Sequence, residues 1–113
     1  TDRAGNVSEF ITSFQTREVF QFIKIKAYPN PARDNIKIEF KLTRSAEVTL
    51  KIFTINGQLV YETTKNDIAQ SDFLWKCKNN SGNKVASGVY IYLLEAQIYE
   101  TKIHQHGKIA IIR

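Results

Sequence analysis

The sequence has 113 residues, 42% of them apolar and 12% aromatic, enough to build one domain around one core; its frequent Val, Ile, Thr, Tyr and Phe favour sheet over helix. A net charge of +5 raises the question of an anionic partner. The basic residues Lys24, Lys26, Lys37, Lys41, Lys76 and Lys78 are scattered beside apolar neighbours, as on the wet face of half-buried strands, which argues against nucleic-acid binding. Cys77 stands alone, which excludes an internal disulfide, and no apolar run is long enough for a transmembrane helix.

Taken in chain order, the first nine residues are polar, and Asp2-Arg3-Ala4-Gly5-Asn6 supplies turn formers; with no initiator Met and no leader, the chain is expected to be a mature product or a piece of something longer. Apolar residues return over residues 10–25 as Phe10, Ile11, Phe14, Val19, Phe20, Phe22, Ile23 and Ile25, the later part reading as a strand. Tyr28-Pro29-Asn30-Pro31 then ends it, because two prolines remove two backbone donors and mark an ordered boundary or an edge. Beyond it Ile36, Ile38, Phe40 and Leu42 alternate with Lys37, Glu39 and Lys41, predicting a strand with one dry and one charged face.

Val48-Thr49-Leu50-Lys51-Ile52-Phe53-Thr54-Ile55 and Gln58-Leu59-Val60-Tyr61 flank Asn56-Gly57, which predicts a hairpin with a tight primed turn. Phe73, Trp75 and Cys77 share one face of the next strand, and the polar cluster over residues 79–83 turns the chain. Val89-Tyr90-Ile91-Tyr92-Leu93-Leu94 is apolar on both faces, which predicts a central strand covered on both sides. The last segment, residues 98–113, is broken near Gly107 and closes on Ile109-Ala110-Ile111-Ile112-Arg113; a β-branched end with no polar tail is expected to be packed or read by a partner. Short strands, regular turn signals and no helical period point to an all-β, immunoglobulin-like antiparallel sandwich of about seven strands plus an extra N-terminal strand.

Residues that carry chemistry are few. His104 and His106 alternate on one strand face and lack a third ligand in sequence, so two surface histidines are expected rather than a metal site. Ser71, Ser81 and Ser87 lie in no nucleophile elbow; Glu95 and Glu100 read as solvated carboxylates; the loop over residues 79–83 has no acid for calcium; and no glycine-rich phosphate loop is present. The expectation is therefore a protein with no catalytic residue, no cofactor and no metal.

Several segments, taken together and in order, carry a resemblance: Tyr28-Pro29-Asn30-Pro31; the strand and hairpin from Val48 through Asn56-Gly57-Gln58-Leu59-Val60; Trp75; Gly82; Val85-Ala86-Ser87-Gly88-Val89-Tyr90; and the closing Lys108-Ile109-Ala110-Ile111-Ile112-Arg113. Over residues 27–113 the chain resembles the type A C-terminal sorting domain of type IX (Por) secretion cargo, an immunoglobulin-like fold related to the Ig-like domain of the flagellar hook-capping protein FlgD. The resemblance implies a non-enzymatic secretion-targeting and cell-surface anchoring module of a larger exported protein of a Gram-negative, Bacteroidetes-like bacterium. Its partners would be the outer-membrane secretion machinery and the upstream domain of the same protein. By matching positions, Lys108, Ile109, Ala110, Ile111, Ile112 and Arg113 form the terminal signal strand, and Gly88, Val89 and Tyr90 open the strand that supports it. Gly88 is expected to allow a conformation or approach closed to other residues, Tyr90 to bury its ring with a partner for its hydroxyl, and an unpaired terminal strand to add to a receptor's sheet.

Residues 1–26 fall outside the resemblance and read as the tail of a preceding domain, a linker or a donor strand. Two other function classes follow from the residues. Self-association through Phe10 to Ile25, donated to a neighbouring copy, would build a fibre or sheath. A generic Ig-like accessory binding module would show a row of exposed aromatics, for which Tyr61, Tyr92 and Tyr99 are the candidates.

Overall fold

The computed structural model describes residues 19–113. The readings placed on Asp2-Arg3-Ala4-Gly5-Asn6 and on Phe10, Ile11 and Phe14 lie outside the described residues. Those described form five strands: β1 (Phe22–Tyr28), β2 (Ile36–Thr54), β3 (Leu59–Trp75), β4 (Gly88–Ile98) and β5 (Thr101–Ile111). All strand pairs are antiparallel, in the order β1-β2-β4-β5, with β3 paired along the other edge of β2.

The count of five, where the turn signals predict about seven, comes from two strands of 19 and 17 residues. The two apolar runs of β2 are separated only by Thr43, Arg44 and Ser45, and the residues 64–72 that join the two halves of β3 contain neither Gly nor Pro, so nothing forces the chain out of the ladder. Instead both strands bend. The β2–β3 register shifts between Lys41 and Ala46 and again before Val48, opposite Asp67, whose φ is +55°. Over the first stretch of β2 its free edge takes β1, with Ile25 opposite Phe40; over the second it takes β4, with Leu50 opposite Leu94.

The bend folds the sheet onto itself. Trp75 pairs with Ile36 at the start of β2, whereas Tyr61 pairs with Ile52 and Tyr90 with Thr54 at its end, a span of about 50 Å for a straight strand. Yet the Trp75 ring lies 6.3 Å from that of Tyr61 and 5.9 Å, edge on, from that of Tyr90. Between the two halves sit Ile36, Ile38, Phe40, Leu42, Val48, Leu50 and Ile52, all buried, so the even-numbered alternation of β2 survives the bend and lines one core. Phe73, Trp75 and Cys77 are buried on the same core. Burial of six or seven branched side chains at about 1.5–3 kcal/mol each makes this face the main source of stability.

Two local expectations are corrected. The hairpin tip is not a primed turn: the Gly57 N–H donates to the Thr54 carbonyl at 2.9 Å, and only Gly57 has positive φ, +91°, so Ile55 and Asn56 occupy the central positions and the glycine forms a bulge. Gly107 does not break the last strand. A Cβ there would lie 2.6 Å from the Tyr92 ring, so glycine makes room for an aromatic across the β4–β5 pair. The sequence leaves open whether the N-terminal stretch packs in cis or in trans; its described part pairs in cis, Phe22 to Ile25 with Leu42 to Phe40 of the same chain.

Candidate recognition site at the C-terminal strand

The terminal strand is held from both sides at its end. On one edge β5 pairs with β4 along its whole length, with Gly88 opposite Ile111, Val89 opposite Ala110 and Tyr90 opposite Ile109. The sequence-predicted groups 88–90 and 108–113 are thus direct cross-strand neighbours. Ile109 and Ile111 are buried, Ala110 half-buried, and Lys108, Ile112 and Arg113 exposed, as alternation across a half-buried sheet requires. Tyr90 is buried and its hydroxyl donates to the Ala86 carbonyl at 2.7 Å. Gly88 has φ +155° and open space where a Cβ would stand, so conformation, not close approach, calls for glycine.

On the other edge the proline motif does the work of a missing strand. The Asn30 amide spans two residues of β5: its Nδ2 donates to the Lys108 carbonyl at 3.2 Å, and its Oδ1 accepts the Ala110 N–H at 3.0 Å. Ala32 continues the same edge as a parallel bridge to Ile111, donating its N–H to the Ala110 carbonyl (2.9 Å) and accepting the Ile112 N–H (2.8 Å). Ala32 is 1% exposed, so these bonds lie out of water. Pro29 and Pro31, which have no N–H to satisfy, flank the one side chain that does the pairing.

Arg113 locks the very end. Its Nε donates to the Val85 carbonyl (2.7 Å), its Nη2 to the Cys77 carbonyl (2.9 Å) and its backbone N–H to Ser87 Oγ (3.0 Å), while Nη1 lies 3.8 Å from Asp34. Burial pushes the Cys77 thiol up, which keeps that sulfur an uncharged part of the core. The expected unpaired terminal strand is therefore corrected: residues 108–111 are bonded on both edges, because Asn30 and Ala32 fill the positions a receptor's strand would take. Sequence reasoning missed Ala32; Ser87 and Arg113 were singled out by the resemblance, but the bonds that join them and the carbonyl partners of the guanidinium were not foreseen.

Other candidates disperse. His104 and His106 are exposed on the outer face of β5, with Glu95 opposite His104, and among the described residues no group of three His, Cys, Asp or Glu is placed to hold a metal. Glu95 pairs with Lys51 at 3.1 Å. In the 79–83 loop, Asn79 Oδ1 accepts the N–H groups of Ser81 and Asn83, and the Asn80 amide bonds both N–H and C=O of Glu62, so the side-chain oxygens are spent on the turn and on the edge of β3. Tyr61 faces Trp75, Tyr92 covers Gly107 and Tyr99 stands alone at 89% exposure, so these three make no binding row. No helix among the described residues is long and apolar enough to cross a membrane.

Comparison with known proteins follows this geometry. Residues 26–106 match the model of the secretion system C-terminal sorting domain, a match that stops just short of Lys108. No curated protein matches the sequence. Among solved structures, dimeric latent PorU from Porphyromonas gingivalis is similar at TM-score 0.68 and 18% identity, covering 78% of this chain and 9% of that one. PorZ, described as an essential bacterial surface component of the type IX secretion system of the same organism, is similar at TM-score 0.55 and 28% identity (79% and 11%). A β-glucuronidase of Parabacteroides merdae follows at TM-score 0.54 and 13% identity (81% and 13%), a likeness of fold alone. The chain thus spans about a tenth of the length of the structures it resembles. Since the matched residues cover well over half of the chain, it belongs to the secretion system C-terminal sorting domain family.

Proposed function

We propose that this chain is the non-catalytic tail of a larger exported protein, a secretion-targeting and surface-anchoring module read by the outer-membrane machinery of a Bacteroidetes-like Gram-negative bacterium, with residues 108–113 as the signal strand. Family membership and the likeness to part of PorZ support the secretion reading. The observation that carries the choice of residues is convergence: the segments around Asn30, around Val85 to Ser87 and at Gly88-Val89-Tyr90, scattered over the sequence, all bond to residues 108–113. The immunoglobulin-like sandwich is favoured by the way β2 and β3 each run through both halves of the curl; the relation to FlgD rests on sequence resemblance alone.

The test is export of a reporter enzyme fused upstream of residues 1–113 in a host with a working type IX system. The intact fusion is expected in the medium or on the cell surface, and the fusion lacking residues 108–113 in the periplasm. Equal export of both sinks the assignment of the signal to this strand, and periplasmic retention of the intact fusion sinks the secretion reading altogether.

A further inference from the structure

Two surfaces near the chain end have no partner among the described residues. One is the outer face of β4, expected to be covered and found bare: Tyr90, Leu94 and Ala96 on the inner face are buried, whereas Val89 is 45% exposed and Ile91 and Leu93 are only half-buried. Nothing on that face points to a ligand. The other surface is charged. A cleft of about 290 Å³ is lined by Asp34, Asn35, Lys76, Lys78, Lys84 and Arg113. It gathers four cations against one carboxylate, drawn from segments far apart in sequence: the loop after the proline motif, the turn region over residues 76–84, and the chain end.

The backbone holds these cations together against their repulsion. Lys78 and Lys84 stand directly opposite each other in an antiparallel bridge, and Lys76 lies two residues from Lys78, so like charges meet both across and along the chain. None of the three lysines forms an ion pair among the described residues. The arrangement is fixed by backbone acceptors and donors: the Cys77 carbonyl accepts the Val85 N–H at 3.0 Å, the Lys78 carbonyl accepts Trp75 Nε1–H at 2.8 Å, and the Asn79 N–H donates to the Asn83 carbonyl at 2.8 Å. Arg113 is equally fixed. Of the five N–H groups of its guanidinium, two donate to the Val85 and Cys77 carbonyls, which leaves three without a protein acceptor, since Nη1 is 3.8 Å from Asp34 and beyond hydrogen-bond reach. Asp34, with its side chain 80% exposed, is well screened by water and offsets little of the positive field.

We infer that this cleft binds an anion of the phosphate class, a phosphate monoester or a pyrophosphate, through ion pairs to Lys76, Lys78 and Lys84 and hydrogen bonds from the free edge of the Arg113 guanidinium. Phosphate oxygens take several cations at once, and a planar guanidinium offers its fork to two of them. The cleft lies at the small end of ligand sites, about 300 Å³, which suits a single phosphorylated group. The same chemistry recognises a phosphate free in solution and one carried on a lipid headgroup. A bound anion relieves the Lys78–Lys84 repulsion and ties the chain end to both neighbouring segments. Such a site needs only the folded chain and is independent of the secretion reading.

The test uses the purified 1–113 chain at low ionic strength, with sodium pyrophosphate as the soluble probe and phosphatidic acid vesicles as the lipid probe. Pyrophosphate is expected to bind in calorimetric titration and to raise the melting temperature by a few degrees. Lys76→Gln with Lys84→Gln should weaken that binding about tenfold or more, whereas Lys41→Gln with Lys102→Gln, which removes the same charge elsewhere, should bind as the parent does. Because loss of Lys84 also relieves its repulsion with Lys78, Lys84→Gln alone should melt no earlier than the parent without pyrophosphate and gain less from adding it; a merely structural lysine would show the reverse. Flotation with phosphatidic acid vesicles that is lost in the site variant, with no response to pyrophosphate, supports the site and assigns the phosphate to a lipid headgroup. Equal weakening by the two double variants overturns the site, since the net charge of +5 would then account for the attraction by itself. Binding of neither probe overturns it as well. Neither failure touches the secretion reading, whose readout is export.

Discussion

The two halves of β5 differ in sequence, the first mostly polar and the second mostly apolar, and they are held in opposite ways. Residues 108–113 are bonded on one edge by Gly88, Val89 and Tyr90 and on the other by Asn30 and Ala32, with Arg113 anchored to Cys77 and Val85. Residues 101–107 have β4 on one edge and, among the described residues, no strand on the other, with Lys102, His104 and His106 exposed. Chain ends ordinarily fray and internal segments ordinarily hold. Here the order is reversed, and the difference shows where the fold has concentrated its interactions: the last six residues are fixed in place, while the strand's first half carries charge and imidazole that discourage edge pairing.

The strongest way to break the comparison is to remove what anchors the fixed half. Ile109→Ala and Ile111→Ala each empty a fully buried site, and each is expected to cost about 2–5 kcal/mol in urea denaturation. Ile103→Ala, on the half-buried opening of the strand, should cost clearly less. Equal losses would mean that β5 is stabilised uniformly and that the end is not special.

Gly107 marks the change-over between the halves. Gly107→Ala places a methyl 2.6 Å from the Tyr92 ring, and overpacking of that kind is expected to cost about 1–3 kcal/mol. Because the ring is the obstacle, Gly107→Ala should cost far less in a Tyr92→Leu background; a double-mutant cycle with no coupling would show that the backbone at Gly107, not the aromatic, imposes the glycine.

How much of this was legible in sequence follows from the range of each interaction. Period-two alternation put Ile36, Ile38, Phe40, Leu50 and Ile52 on the inner face without ambiguity, since each residue's side is decided by its immediate neighbours. Merging the predicted strands into β2 and β3 was hidden, because a bend made by register shift needs no Gly or Pro to announce it. The apolar outer face of β4 was visible and misassigned: a strand apolar on both sides says that both sides avoid water, not that this chain covers them. Asn30 was recognised only as part of a boundary. Its partners lie 78 and 80 residues away, and no local pattern records which edge a side-chain amide will complete.

That amide gives a sharper test than stability does. Asn30→Ala removes two exposed hydrogen bonds and is expected to cost about 1–2 kcal/mol. Hydrogen exchange should change more selectively: the Ala110 amide loses protection, while those of Ile109 and Ile111, which alternate toward β4, keep theirs. Arg113→Ala should expose the terminal turn and leave Ala110 protected, separating the two anchors. In the unaltered protein the Ala110 and Ile112 amides should already exchange more slowly than those of His104 and His106.

The smallest effect is the pH dependence of the contact that precedes the proline motif. The Tyr28 hydroxyl donates to the Glu39 carboxylate; this bond, helped by Lys24, Lys26 and Lys37, holds Glu39 below its ordinary range and, chiefly by the same bond, pushes Tyr28 above the usual tyrosine value. A depressed carboxylate stabilises above its unfolded pKa and loses that contribution as pH falls through its folded one. A raised tyrosine stabilises below its unfolded pKa and loses its contribution as pH rises through its folded one. The melting-temperature gap between the parent and Tyr28→Phe should therefore be flat through the neutral range and should close in acid below the carboxylate range and in strong base. Phenylalanine keeps the ring under Lys26, 5.0 Å from its centroid, so the gap isolates the hydroxyl. Both groups are only half-buried, and the gap should be small. Its value lies in the contrast with Asn30→Ala, since Tyr28→Phe should leave Ala110 and Ile112 protected at every pH; loss of their protection would mean that Asn30 is positioned from β1 and that the terminal strand is fixed only as firmly as that edge.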